Sequence, residues 1–201
     1  FLSASDCNGN AMEDEAEIAS GVSPDCNHDG IPDDCQVPQL TFQAADYYAT
    51  GSDPSPLVVD DLNGDGVLDL ATGSRGPGNP EGSIFLGKGD GTFQGARHFL
   101  LAMVPSFMLS ADFDRSGTPD LAVMGGESAG KVQILLGEAD GSFTPQPTIA
   151  VGRYPFATVA GDLNGDGLLD LAIANNGSND VSVLHGLGDG SFEEPRTYPV
   201  G

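Results

Sequence analysis

The chain is 201 residues long, enough to bury a real core in one or two domains, and its 29 glycines and 14 prolines favour turns and short strands over long helices. With 30 acidic residues against 7 basic ones the formal charge is −23, which repels phosphate backbones and anionic lipid heads and excludes nucleic acid and acidic membranes as partners. No membrane insertion is expected either: the longest apolar run, Phe99 to Ala111, is broken by Pro105 and Ser106 and falls short of the ~20 residues a spanning helix needs.

No charged n-region precedes an apolar h-region, and the chain opens on Phe1 and stops in mid-pattern, so a fragment or processed piece is the expectation. Residues 1–38 hold two related loops, Asp6 to Asp14 and Asp25 to Asp33, 19 positions apart. Side-chain oxygens fall at the first, third, fifth and ninth places: Asp6, Asn8, Asn10 and Asp14, then Asp25, Asn27, Asp29 and Asp33. The seventh places, Met12 and Ile31, offer backbone carbonyls. Gly30 stands where such a loop turns sharply, and the first copy has Ala11 there and neutral Asn ligands, so it is the weaker site. Glu13 to Ser20 has room for one short helix between the loops.

All three cysteines lie in this segment. Cys26 and Cys35 bracket the second loop, and a disulfide closing it is expected in an oxidising compartment. Cys7 has no matching partner, because Ala16 occupies the corresponding place. Zinc is the rival reading, yet three cysteines and His28 among hard oxygen ligands make a poor soft-metal set. The segment resembles the short cysteine-bearing, calcium-binding repeats of secreted bacterial proteins, and more distantly the EF-hand-like loops of dockerins and thrombospondin type 3 repeats.

Residues 39–201 repeat with a period near fifty. Asp61-Leu62-Asn63-Gly64-Asp65-Gly66-Val67-Leu68-Asp69-Leu70 returns at Asp162 to Leu171, with a worn copy at Asp112 to Leu121. Phe42, Phe93, Phe143 and Phe192 each follow a hydroxyl residue at spacings of 51, 50 and 49. Asp-Gly turns precede the last three, a hairpin signal because the turn needs positive φ. Pro54, Pro105 and Pro155 each stand seven residues before an acidic loop.

In the last copy the strands are expected over Ala157 to Gly161, Leu169 to Ala174, Val181 to His185 and Phe192 to Val200. The run Leu-Asp-Leu-Ala reads as a strand buried on both faces. Four-stranded units at this period are the sign of a β-propeller, whose sheets must stack to bury their faces. The expectation is an all-β partial β-propeller of about three blades (near 54–100, 105–150 and 155–200) plus one extra strand near Phe42. A seven-bladed ring needs about 350 residues, so further blades come from the rest of a longer chain or from self-association.

Oxygens at this spacing wrap a hard cation such as Ca²⁺, which takes six to eight of them. The expected ligands are Asp61, Asn63, Asp65 and Asp69 with the Val67 carbonyl, and Asp162, Asn164, Asp166 and Asp170 with the Leu168 carbonyl. The middle loop offers Asp112, Asp114, Ser116, Asp120 and the Thr118 carbonyl. It is expected to bind most weakly, since Ser116 is a poor ligand and Arg115 brings positive charge. Polar turns alone would carry such residues, but three carboxylates in one loop repel one another without a cation.

Gly126-Glu127-Ser128-Ala129-Gly130 matches the Gly-x-Ser-x-Gly nucleophile elbow, but a strand is expected after it where the elbow needs a helix. No enzyme is expected. His98 and His185 read as packing or surface residues, Asn176-Gly177-Ser178 as an exposed sequon-bearing turn, and Lys88 as a solvated hairpin residue.

Residues 39–201 resemble FG-GAP or VCBS-type repeats, the family that builds the propeller of integrin α-chains and many secreted bacterial proteins. The resemblance rests on the Asp-x-Asn-x-Asp-Gly-x-x-Asp-Leu loop followed by Leu-Gly-x-Gly-Asp-Gly-x-Phe. Phe-Gly itself is replaced by Leu86-Gly87, Leu136-Gly137 and His185-Gly186. The resemblance implies a secreted or cell-surface, bacterial extracellular module for adhesion or recognition of a protein or carbohydrate ligand. An accessory domain of a larger secreted hydrolase, or a plain structural spacer, would carry the same repeats.

Overall fold

The computed structural model describes residues 44–75, 80–126 and 128–201, together with Ala16, Ile18, Ala19 and Gly21. Of the short helix expected over Glu13 to Ser20, the three described residues are helical and Gly21 turns at φ 73°. Both N-terminal loops, the three cysteines and the extra strand near Phe42 lie outside the described residues.

Each repeat folds into an antiparallel sheet with its strands in sequence order. The first blade holds β1 (Pro54–Asp60), β2 (Asp69–Ser74), β3 (Glu81–Phe85) and β4 (Arg97–Leu100). The second holds β5 (Pro105–Ala111), β6 (Asp120–Gly125), β7 (Lys131–Gly137), β8 (Phe143–Pro145) and the short β9 (Ile149–Ala150), the last two both pairing with β7. The third holds β10 (Pro155–Gly161), β11 (Asp170–Asn175), β12 (Asp180–Leu184) and β13 (Arg196–Pro199). This is an all-β stack of three propeller blades.

The outer strands depart from the sequence expectation. In the third blade pairing begins at Arg196, and Phe192 forms only an isolated bridge to Gly186. Pro195, lacking an N–H, interrupts the ladder between them. In the second blade Pro145 and Pro147 split the same strand into β8 and β9. His185 falls one residue past the end of β12.

Alternation along the strands explains the stacking. In β6 every residue is buried. Leu121 and Val123 pack toward the first blade with Val58, Ala71 and Ile84, while Ala122 and Met124 pack toward the third with Leu171 and Ile173. A strand with period two and both faces covered needs apolar residues throughout. The repeat phenylalanines add edge contacts: Phe143 packs on Phe99, Phe192 on Phe113, and Phe93 on Tyr48.

The first strands of the blades are neighbours. Ser110 Oγ donates to Asp60 Oδ2 at 2.7 Å, and Ser106 Oγ to the Pro155 carbonyl at 3.0 Å. The face that each blade turns toward its successor is apolar, so the third is left bare: Leu62 is 0% exposed, Phe113 3%, and the equivalent Leu163 52%.

Candidate metal centre

The acidic loops join the first and second strands of each blade, at the end where the third strand also finishes. Their local shape follows from glycine. The sixth place is Gly66, Gly117 or Gly167, at φ 85°, 88° and 83°. The fourth is Gly64 or Gly165 in the outer copies but Arg115 at φ 64° in the middle one, a strained conformation for a residue with a Cβ.

The side chains turn inward onto the loop's own amides. The first aspartate accepts from the fifth and sixth residues: Asp61 from Asp65 N at 3.0 Å and Gly66 N at 2.8 Å, with Asp112 and Asp162 repeating the pattern. The third residue accepts from the fifth amide, in Asn63, Asp114 and Asn164 alike. Asp65, Ser116 and Asp166 accept from the seventh, Val67, Thr118 and Leu168. The backbone donors thus draw the oxygens together on one side of the loop. In the middle loop, carboxylate oxygens of Asp112, Asp114 and Asp120 all lie within 4.8 Å of one another. In the outer loops the third place is an amide, and Asn63 Nδ2 donates to Asp65 Oδ2 at 2.9 Å, as Asn164 does to Asp166 at 2.8 Å.

The ninth aspartate has a second task. Asp69, Asp120 and Asp170 are fully buried. Asp69 accepts from Leu62 N at 3.0 Å and Gly87 N at 2.7 Å, tying the loop to the end of the third strand. Asp120 does the same with Phe113 and Gly137, and Asp170 with Leu163 and Gly186. Glycine is required at the far end, because a Cβ on Gly87, Gly137 or Gly186 would strike the carbonyl of Leu68, Pro119 or Leu169. Each carboxylate oxygen keeps a second lone pair for another partner.

Burial pushes the Asp69 and Asp120 carboxyls above the usual carboxylate range, against the pull of their two amide donors; the loop's other aspartates push them further up. Burial pushes Asp170 up too, but the Gly186 amide, the His185 ring and the Leu163 amide outweigh it and hold that carboxyl below its ordinary value. His185 Nδ1 lies 3.1 Å from Asp170 Oδ2 and 3.4 Å from Asn164 Nδ2. Read from sequence as packing or surface, His185 instead contacts two expected ligand side chains of the third loop. The available signal was its place directly before Gly186, where the other copies have Leu86 and Leu136.

Arg115 also differs from expectation. It makes no ion pair with Asp112 or Asp114, and its side chain extends toward Gly188 in the next blade. The Ser116 hydroxyl is engaged with Thr118, donating to its carbonyl at 3.3 Å. The donor atoms within the loops are hard oxygens, as Ca²⁺ requires, with His185 the one nitrogen beside them.

The remaining motifs behave as turns. Ser128 lies between β6 and β7, and a strand follows it. The rings of His98 and His185 bond Ser83 and Asp170, so neither serves Ser128 as a base. Ser178 Oγ accepts from Arg153 N in the β11–β12 turn.

Three successive matches to the FG-GAP-like repeat family model cover residues 61–123, 112–173 and 162–201. Each match runs from one acidic loop into the next blade, and the last ends with the chain. No curated protein matches the chain significantly.

Proposed function

The chain belongs to the FG-GAP-like repeat family, and we propose that it is a calcium-stapled, non-catalytic recognition module working outside the cell. One observation carries the reading: the same oxygen-rich loop recurs at the same junction in three blades, its side chains gathered by the loop's own amides. The first, third, fifth and ninth side chains and the seventh carbonyl would hold the ion. Bound calcium supplies positive charge that neutralises the three carboxylates of each loop. The protein's own part is to fix the loop, through glycine turns and the buried aspartate, so that the second strand leaves at a set angle.

The ions are structural in this reading. Extracellular calcium modules bind with Kd of ~10⁻⁴ to 10⁻³ M, so at ~1 mM free ion each site adds about 0.4 to 1.4 kcal/mol. Such affinities suit a protein that works in the calcium-rich medium outside cells. The apolar faces left bare on the end blades, around Leu57 and Val59 at one end and Val159 and Leu163 at the other, suit further blades of the same kind. Recognition of a protein or carbohydrate then falls to the loops at the opposite end of the sheets.

Thermal melts in EGTA and in millimolar calcium test the staple. The melting temperature should rise with calcium and respond little to magnesium, which prefers near-ideal octahedral sites. Superimposed curves would remove calcium from the reading.

A further inference from the structure

The end of the blades away from the acidic loops carries an open cleft of about 740 Å³, within the range of ligand sites. It is walled by the turns after the second strands and by the links between blades, and spans residues from all three. Its charge is opposite to that of the molecule. The chain has 7 cationic residues against 30 acidic ones, yet Arg75 and Lys131 both line this cleft and no described carboxylate does. Both are exposed, and neither makes an ion pair among the described residues. Asp53, Glu81 and Asp180 stand at the same end without lining it.

Two aromatic side chains face the same space. Phe156 is 73% exposed and sits where the register of β10 and β11 shifts, a bulge that re-aims its side chain. Tyr154 holds φ at 50°, fixed by Asn176 N donating to its carbonyl at 3.0 Å. Such strain in a tyrosine persists only where its surroundings impose it, and it collects at binding sites. Ser128 and Asn176 add polar groups. The two buried side-chain atoms without a partner among the described residues, Ser74 Oγ and Asn175 Oδ1, belong to the residues directly before Arg75 and Asn176.

We propose that this cleft binds a short acidic oligosaccharide, its carboxylates on Arg75 and Lys131 and a sugar face on Tyr154 or Phe156. Sugar C–H groups carry slight positive charge and meet the negative face of an aromatic ring. Arginine takes a carboxylate bidentately, and lysine takes it as a point charge. A peptide fits less well, because turns and strand ends wall the cleft and give no strand edge to extend. The proposal rests on the recognition reading above and names its ligand class and its place.

Calorimetric titration of the chain with hyaluronan hexasaccharide, chitohexaose and a glutamate hexapeptide tests it. Hyaluronan hexasaccharide should bind, with affinity falling as salt rises, while the neutral sugar and the peptide bind far more weakly. The double variant Arg75→Gln/Lys131→Gln should weaken binding about tenfold. Phe156→Ser, which copies the residue at the equivalent position 106, should weaken it as well. No heat with hyaluronan, equal binding of the hexapeptide, or indifference to the double variant overturns the proposal. Calcium-dependent melting is read on the same samples: its loss with sugar binding intact defeats the staple alone, and the converse defeats the cleft alone.

Discussion

The first and third acidic loops differ at only two of ten positions, yet the same buried aspartate is pushed in opposite directions in the two blades. Asp69 and Asp170 each sit at the start of the second strand, each fully buried, each bonded to two backbone amides. What separates them lies outside the loop. The first blade ends its third strand on Phe85 and Leu86, and the third blade on Leu184 and His185, whose ring adds a hydrogen bond to Asp170. The electrostatics of a repeated site is therefore set partly by the neighbouring hairpin. Blades one and two hold a buried carboxylate whose ionised form is poorly supported without a cation, and blade three supplies part of that support itself.

The largest way to break the comparison is to remove the aspartate from any blade. Asp120→Ala leaves the amides of Phe113 and Gly137 without acceptors in a buried setting, and each such loss costs about 1 to 3 kcal/mol. A destabilisation of roughly 2 to 4 kcal/mol in urea unfolding is expected in calcium-free buffer. A cost under about 1 kcal/mol would mean that water reaches these amides and that the clamp is incidental. Removing calcium from the wild-type chain comes next. Three sites of extracellular affinity sum to about 1 to 4 kcal/mol, and a domain of this size loses roughly 2–4 °C per kcal/mol. Asp120→Ala should also abolish calcium stabilisation in its own blade while sparing the other two.

Much of this was legible in the residues, and for physical reasons. Strand order, blade number and the position of the loops followed from a fifty-residue period, because a repeat that cannot bury its faces alone must stack in sequence. The glycines at 66, 117 and 167 announced the positive φ that the loops adopt. The double role of the ninth aspartate was not legible, since its partners Gly87, Gly137 and Gly186 lie 16 to 18 residues away and donate through the backbone, which leaves no side-chain signature. Arg115 was misjudged because sequence shows a charge but not its direction. The outer strands were overextended where prolines 145, 147 and 195 interrupt the ladder.

A single substitution can exchange the two behaviours. His185→Leu gives the third blade the leucine of the other two, and should destabilise the calcium-free chain by about 0.5 to 1.5 kcal/mol, the net value of one hydrogen bond. It should also make the third loop more dependent on calcium, read as a larger melting shift on adding the ion. An unchanged shift would show that the histidine and a cation do not share the task. The middle loop gives a smaller test. Ser116→Asp restores the acidic fifth ligand of the outer copies, and should tighten calcium binding there by roughly tenfold at most, because ligand charge count sets affinity in such loops. Calorimetry resolving the weakest of three sites would register it, and no change would place the limit in the positive φ of Arg115 instead.

The smallest effect lies in the hairpins, where the blades behave alike. Asp90, Asp140 and Asp189 each accept from the hydroxyl residue two places on, and these bonds hold all three carboxyls below the ordinary value of 3.8. A depressed folded-state value means that the contribution to stability is present above the unfolded value and is lost as pH falls through the folded one. Acid unfolding below pH 3.8 should therefore be slightly steeper in the wild type than in Asp189→Asn, which keeps the acceptor oxygen without the titration. At neutral pH the variant should be the less stable of the two, by a margin that salt reduces because the carboxylate is exposed. If Asp189→Asn matched the wild type at both ends of the range, the turn would owe its shape to the positive φ of Gly188 and Gly190 alone.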